Sequence, residues 1–171
     1  MKTFEELKED LLEWAKKHHA CQDGYRMGLN AKSKKDLLEA ITSNWFWVFR
    51  TSKMIDANYL ENNFSEEELA EAGIYTRKEH TSNAKSFACG SATVEAYGSA
   101  TVEAYDSATV EAYDSAKVEA YGSAKVEAYD NSYVEDCTGN INTVSDHGIV
   151  KDYHNHKIYI KKGKFKIIEI E

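Results

Sequence analysis

An eight-residue repeat occupies the middle of the chain and restricts its fold more than any other feature. Nearly identical octads of the form SA(T/K)VEAY(G/D) run without interruption from Ser91 to Asp130. Degraded copies flank them at Asn83–Gly90 and Asn131–Thr138. A unit this short cannot bury its own apolar side, so it is stable only when neighbouring copies stack. The repeat therefore predicts a solenoid.

The alternation of side chains along a strand decides which residues of each octad face inward. Either Ala-Val-Ala or Thr/Lys-Glu-Tyr must point into the solenoid. Burying a glutamate in every copy without partners would cost more than folding can supply, so Ala-Val-Ala is predicted to form the interior. The Gly/Asp-Ser pair between octads suits a turn. A thin coil of two octads is favoured over a triangular coil of three, because Ala and Val fill little space.

The first part of the chain predicts helices. Capping signals at Thr3, Ser33 and Ser65 each precede apolar residues at helical spacing. The second of these helices is expected to run through Phe49, and Gly73 to end the third. A further short turn of helix is expected at Gly24–Gly28.

The predicted fold class is α+β, with a helical domain at residues 1–80 and a parallel β-solenoid with C-terminal capping strands at residues 81–171. The tail from His156 onward alternates apolar and charged residues around a turn at Lys162-Gly163. This pattern predicts a hairpin or two final strands that cover the open end of the solenoid.

Composition limits the function classes. No apolar run is long enough for a membrane span, and the acidic N-terminus is unlike a secretory signal, so a cytoplasmic protein is expected. Three cysteines without a CxxC pair predict reduced thiols. The net charge of -8 opposes direct binding to nucleic acid or to an anionic membrane. Residues 81–130 hold 3 basic and 8 acidic residues, so the repeat is the acidic part.

The outward rows of the octads are the main candidate binding surface. They comprise the glutamates Glu95, Glu103, Glu111, Glu119 and Glu127, the tyrosines Tyr97, Tyr105, Tyr113, Tyr121 and Tyr129, and the corner aspartates Asp106, Asp114 and Asp130. The eight acids lie along a stack of roughly 12 Å, which is about 1.5 Å per acid against about 1.7 Å per charge in duplex DNA. The density fits a nucleic-acid mimic, but the length spans fewer than about four base pairs. Solubility of a repetitive β surface is the competing explanation.

Smaller clusters of polar and aromatic residues are further candidate sites. Asp146-His147, Asp152, His154 and His156 have metal-ligand side chains without diagnostic spacing, which favours a solvated loop, and no metal or cofactor is predicted. His154 and His156 are expected to share a strand face. Cys89 and Cys137 occupy the tyrosine position of their octads, about three coils apart, too far for a disulfide. Phe46 and Trp47 belong to an aromatic cluster too large for one helix face, so either could be exposed to a partner.

The octads resemble those of phage and gut-bacterial proteins of uncharacterised activity, in which a short helical domain precedes tandem ATVEAYG/ATVEAYD motifs. The resemblance covers roughly residues 83–138, with a looser match around Ala20–Tyr25 and Trp45–Val48. The architecture is also similar to that of pentapeptide-repeat proteins, which include acidic DNA mimics, and of bactofilins, which polymerise. Neither repeat length matches.

These observations predict a non-enzymatic inhibitor from a phage or mobile element, of the anti-defence or anti-CRISPR type. Its acidic solenoid and helical head are expected to dock on a basic nucleic-acid-binding surface of a host protein, such as a nuclease complex. A self-assembling scaffold or spacer is the alternative. An enzyme is disfavoured, because no convincing pair of base and nucleophile stands out.

Overall fold

The computed structural model describes residues 1–140 and 143–168. The chain forms two compact units, the first at Met1–Ile74 and the second beginning at Tyr75. The first is helical and the second is a parallel β-solenoid, so the predicted α+β class is confirmed. None of the helices in the described part of the chain has the length and apolar character needed to cross a bilayer.

The helices begin where the capping signals predict. Thr3 and Ser65 each form a complete capping box, and the hydroxyl of Ser33 accepts a hydrogen bond from the Asp36 backbone N–H at 3.2 Å. Gly73 ends the last helix at a φ of 71°. The helices are α1 (Phe4–Lys17), α2 (Gln22–Asn30), α3 (Lys34–Ser43), α4 (Ala57–Asn63) and α5 (Glu66–Glu71).

The prediction that the second helix continues through Phe49 is wrong. Helix α3 ends at Ser43, and the side-chain amide of Asn44 donates a hydrogen bond to the Ala40 carbonyl at 2.9 Å. A π-helical turn, Trp47–Thr51, follows, because the Ser52 N–H bonds to the Trp47 carbonyl five residues earlier at 2.8 Å. Leu7, Leu37 and Leu60 are among the fully buried residues of this helical unit.

The solenoid consists of two parallel sheets. The strands are β1 (Ile74–Tyr75), β2 (Glu79–Ser82), β3 (Lys85–Ala88), β4 (Thr93–Ala96), β5 (Thr101–Ala104), β6 (Thr109–Ala112), β7 (Lys117–Ala120), β8 (Lys125–Ala128), β9 (Tyr133–Asp136), β10 (Thr143–Val144), β11 (Ile149–Asp152) and β12 (Lys157–Ile160). The seven-stranded sheet has the order β1-β3-β5-β7-β9-β11-β12, and the five-stranded sheet has the order β10-β8-β6-β4-β2.

Each coil contains two octads, as predicted. From β3 to β11, each strand pairs in parallel with the strand 16 residues away, so that Val94 lies beside Val110 and Val110 beside Val126. Strand β2 pairs with β4 at an offset of two residues fewer, with His80 beside Val94. Consecutive octads therefore alternate between the two sheets. The inward register is also confirmed, since the Ala-Val-Ala residues of all five intact octads are fully buried. Stacked alanine and valine side chains occupy the narrow space between the sheets.

The chain turns from one sheet to the other at the last residue of each octad, which has a left-handed backbone conformation. Its φ is 62° at Gly98, 56° at Asp106 and 54° at Asp114. Glycine adopts this conformation without strain, and aspartate tolerates it better than most side chains. The backbone N–H of the following residue donates a hydrogen bond to the corner carbonyl of the preceding coil. The Ser115 N–H, for example, donates to the Gly98 carbonyl at 3.0 Å. This explains why only Gly and Asp occur at this position of the intact octads.

A C-terminal β cap is present, but the hairpin lies elsewhere than predicted. Strand β12 pairs antiparallel with β11, so the turn is at Tyr153–His156 rather than at Lys162-Gly163. No strand follows Gly163 within the described residues, and the rest of the predicted second strand, residues 169–171, lies outside them. The cap covers the edge of the seven-stranded sheet.

Candidate protein-binding surface

The outward residues of the octads form two separate faces rather than one surface. Glu95, Glu111 and Glu127 are in register on the five-stranded sheet. Glu103 and Glu119 are in register on the seven-stranded sheet, where Glu135 of the degraded octad extends the row. The predicted site residues are therefore divided between opposite sides of the solenoid.

The two faces differ in charge. On the five-stranded sheet, strands β2, β4, β6 and β8 present four glutamates and one lysine outward, a net charge of -3: Glu79, Glu95, Glu111, Glu127 and Lys125. On the seven-stranded sheet, strands β3, β5, β7, β9 and β11 present three lysines and three glutamates, a net charge of zero: Lys85, Lys117, Lys151, Glu103, Glu119 and Glu135. We call these the acidic face and the mixed face.

A tyrosine stack borders the acidic face. Tyr97, Tyr113 and Tyr129 follow strands β4, β6 and β8, with ring centroids 4.9 Å apart and planes within 8° of parallel. The centroid separation equals the strand spacing of about 4.8 Å, so the sheet itself sets the stacking distance. Tyr105 and Tyr121 form the matching pair on the mixed face, at 4.9 Å and 29°, and Tyr105 is buried. The stack beside the acidic face is thus the more regular and accessible one.

Each tyrosine of the stack is hydrogen-bonded to the glutamate two residues before it. The Tyr97 hydroxyl donates to Glu95 at 3.0 Å and the Tyr113 hydroxyl to Glu111 at 2.7 Å, and Tyr129 donates to Glu127. The bond to Glu127 raises the pKa of Tyr129 to about 12, because a hydroxyl that donates to a carboxylate resists losing its proton. These bonds fix the carboxylates in one row.

The corner aspartates have a structural role. Asp106 accepts from the Gly90 N–H at 3.3 Å and Asp114 from the Gly98 N–H at 2.8 Å. Asp130 accepts from the Asp114 N–H at 3.1 Å. Each carboxylate thereby binds the corner amide of the preceding coil. All three side chains remain exposed, so their charge still contributes to the surface potential.

The corner aspartates are also unequally placed. Asp114 and Asp130 follow strands of the acidic face, whereas Asp106 follows a strand of the mixed face. The acidic face and its corner therefore combine a column of glutamates with a column of aspartates. On the mixed face, Lys85 pairs with Glu103 at 3.3 Å, and burial raises the pKa of the Glu103 carboxyl.

Phe46 and Trp47 belong to the helical unit and differ in exposure. Phe46 is 47% exposed, and Trp47 is half-buried. Trp45 and Phe49 are buried and stack at 4.0 Å. At least one aromatic side chain therefore points away from the core, as the sequence predicts. Phe46 is the more accessible of the two candidates.

The smaller clusters do not assemble into a site. No group of three metal-ligating side chains occurs within residues 1–140 and 143–168. His154 and His156 lie in the Tyr153–His156 turn rather than on a strand, which corrects the expectation of a shared strand face. Asp152 is buried and accepts two hydrogen bonds from Asn155, each at 2.8 Å. Cys89 and Cys137 lie at equivalent positions three coils apart and are not joined by a disulfide.

Sequence reasoning missed the residues that make the two faces unequal. Glu79 extends the acidic face, and Lys85 and Lys151 neutralise the mixed face. All three lie outside the intact octads. Extending the 16-residue period into the flanking segments would have found Lys85 and Lys151, which pair with Thr101 and Glu135. Glu79 pairs with Thr93, only 14 residues away, so the period does not give its register. Comparisons with protein-family models, curated proteins and solved structures return no match for this chain.

Proposed function

We propose that the protein is a non-enzymatic inhibitor of phage or mobile-element type, which docks its acidic face on a basic, nucleic-acid-binding surface of a host protein. The observation that supports this most is the unequal charge of the two faces, -3 against zero. Solubility requires charged side chains on both faces, but it does not require an excess of one sign on one face. Concentrated negative charge on one side is instead suited to steering a basic partner.

The charge spacing and length of the acidic face limit the kind of partner surface that it can bind. Each coil adds one glutamate and one corner position, so where the corner is aspartate there are two charges per strand spacing. This is roughly 2.4 Å per charge, compared with about 1.7 Å in duplex DNA. The face is therefore less dense and much shorter than a DNA duplex. It is suited to a small number of Arg or Lys side chains rather than to a whole groove.

The tyrosine stack adds a second mode of recognition. Tyr97 is 36% exposed, and the Tyr97, Tyr113 and Tyr129 rings lie next to the carboxylate row. An arginine guanidinium can stack on an aromatic ring while it pairs with a neighbouring carboxylate. We therefore expect arginine to contribute more than lysine on the partner's surface. Phe46 of the helical unit is a candidate for a separate apolar contact.

Two triple variants with matched charge changes test the proposal. The first replaces Glu95, Glu111 and Glu127 with glutamine, and the second replaces Glu103, Glu119 and Glu135. Each removes three carboxylates while keeping side-chain size, so the two differ only in the face affected. Wild-type protein immobilised as bait should capture a nucleic-acid-binding protein from the host lysate, and the captured partner should lose affinity for its DNA or RNA when the protein is added.

The acidic-face variant should lose this partner, and the mixed-face variant should keep it. Binding should also weaken as salt rises, because exposed charges are screened beyond about 8 Å at physiological ionic strength. Circular dichroism of both variants establishes that each is folded. Equal loss in the two variants, or a wild-type bait that captures no nucleic-acid-binding protein, would contradict the proposal.

Self-assembly is a second candidate, supported by the C-terminal end of the solenoid. Strand β10 is two residues long, and no strand pairs with its outer edge within the described residues. Ile158, Ile167 and Ile168 are each at least 66% exposed. Unpaired edges and exposed isoleucines favour association with a second copy. Sedimentation equilibrium over a hundredfold concentration range tests this, and a constant monomer mass would refute it.

A further inference from the structure

The helical unit contains a cavity that none of the predicted functions uses. Its volume is about 340 Å³, and helices α1, α2 and α3 and the π-helical turn line it. Leu11, Leu37, Ile41 and Val48 form its apolar wall, together with Trp47. A cavity of about 150 Å³ lined by apolar side chains holds a benzene molecule, so this one is large enough for a compound of roughly two rings.

Helix α2 contributes Gly24, Tyr25 and Gly28 to the wall of the cavity, which is partly open to solvent, so two of the three α2 residues at the wall have no side chain. Gly24 and Gly28 both line the space, and no residue of α2 is fully buried. Glycine within a helix is destabilising relative to alanine. A β-carbon added at Gly28 would lie 3.5 Å from Leu12 Cδ2, an ordinary contact distance. Backbone packing therefore does not require glycine at position 28, and a larger side chain there would fill the cavity.

The lining also restricts the chemistry of an occupant. The lining residues of this cavity include no Asp, Glu, Lys or Arg, and their polar side chains include those of His19, Cys21, Tyr25 and Asn44, so a charged ligand would find no carboxylate, ammonium or guanidinium partner there. Asn44 supplies a polar group. Its Nδ2 donates to the Ala40 carbonyl, and no hydrogen bond from a described residue reaches its Oδ1. That oxygen lies beside Gly24, 3.0 Å from where a β-carbon would be.

We propose that this cavity is a binding site for an uncharged aromatic compound of about two rings that carries one hydrogen-bond donor. The apolar wall takes up the ring system, and the donor bonds to Asn44 Oδ1. This inference is independent of the acidic face, because the cavity lies entirely within the helical unit.

Calorimetry with 2-naphthol as the probe tests the site. The compound is uncharged at neutral pH, has two fused rings and has a single O–H donor. We expect saturable binding with one site per chain. The analogue 2-methoxynaphthalene lacks the donor and should bind about fivefold more weakly, which is the size of one neutral hydrogen bond.

Two variants of α2 locate the bound probe. Gly28→Leu extends a side chain into the cavity and should weaken 2-naphthol binding at least tenfold, with a raised midpoint of thermal unfolding. The control, Arg26→Leu, adds the same side chain on the exposed side of the same helix and should bind within twofold of wild type. If Gly28→Leu does not fold, Ala40→Leu fills the cavity from α3 instead.

The expected pattern combines probe binding to the wild type with loss in the filled variant only. No saturable binding up to the solubility limit of 2-naphthol would overturn the proposal. So would a filled variant that binds as the wild type does. Equal affinity for the two naphthalenes would overturn the role of Asn44.

Discussion

Replacement of Asp114 separates the two contributions that the corner aspartates make to the solenoid. Asp114 accepts a hydrogen bond from the Gly98 N–H at 2.8 Å, and its own φ is 54°. Alanine removes the acceptor and keeps a β-carbon in the left-handed region. Glycine also removes the acceptor, but it adopts a positive φ without strain. Asparagine keeps an oxygen at the same place and tolerates positive φ.

The expected free energies follow from these differences. Loss of the hydrogen bond at an exposed corner costs about 1 kcal/mol. The left-handed conformation costs alanine about 1 kcal/mol more than aspartate or asparagine. Asp114→Ala should therefore reduce the free energy of unfolding by about 2 kcal/mol, Asp114→Gly by about 1 kcal/mol or less, and Asp114→Asn by less than about 1 kcal/mol.

Urea denaturation monitored by far-ultraviolet circular dichroism measures these values. Asp146 offers a matched control, because it has a φ of 50° and is hydrogen-bonded to its neighbour Ser145 rather than to a corner amide. The bond to the Ser145 hydroxyl joins adjacent, half-exposed side chains and can be replaced by water, so Asp146→Ala should lose mainly the backbone contribution of about 1 kcal/mol. Equal destabilisation by alanine and glycine at position 114 would show that backbone strain is irrelevant there. Equal destabilisation by alanine at positions 114 and 146 would show that the bond between coils contributes nothing.

Two other predictions concern the core and the tyrosine stack. Val110→Ala removes two methyl groups from the fully buried column and should cost about 2–3 kcal/mol, whereas Thr109→Ala on the outward side should cost less than about 1 kcal/mol in the same denaturation assay. The pKa of Tyr129 is raised to about 12 by its bond to Glu127, so the folded protein holds this proton more tightly than the unfolded chain does. The stability that this bond contributes is complete below the ordinary tyrosine pKa of about 10 and is lost as pH rises through about 12. Tyrosinate absorbance measures the titration in the wild type and in Glu127→Gln. The variant should show a lower apparent tyrosine pKa. An unchanged titration in that variant would refute the assigned cause.

The solenoid was predictable because one physical constraint acts in every octad. A glutamate in each copy forces Ala-Val-Ala inward, and the small volume of these residues favours a two-octad coil. The corner bonds were not predictable from one octad, since Asp114 acts on an amide 16 residues away. The unequal faces were missed because Lys85 lies in a degraded copy and Lys151 lies beyond the last copy, where the motif no longer shows the register.

The helical unit was less predictable because capping and spacing signals are local, whereas tertiary contacts determine where its helices end. Capping boxes identify where α1 and α5 start. The apolar spacing from Leu37 to Phe49 is continuous, but the Asn44 side chain and the Ser52 bonds to Trp47 convert its second half into a π-helical turn. Helix α4 escaped notice because it has seven residues and only the Asp56 cap at its start. The cavity depends on how three helices meet, which no single segment encodes.

The pairing of strands 16 residues apart constrains how such a gene can change in length. Deletion of a single octad, such as Ser107–Asp114, would move every later strand to the opposite sheet. Glu119 would then align with Glu95, and the two faces would exchange their downstream halves. Duplication or loss of two octads changes the length by one coil and leaves both faces intact. Repeat-number variants that preserve the acidic face should therefore differ in steps of 16 codons.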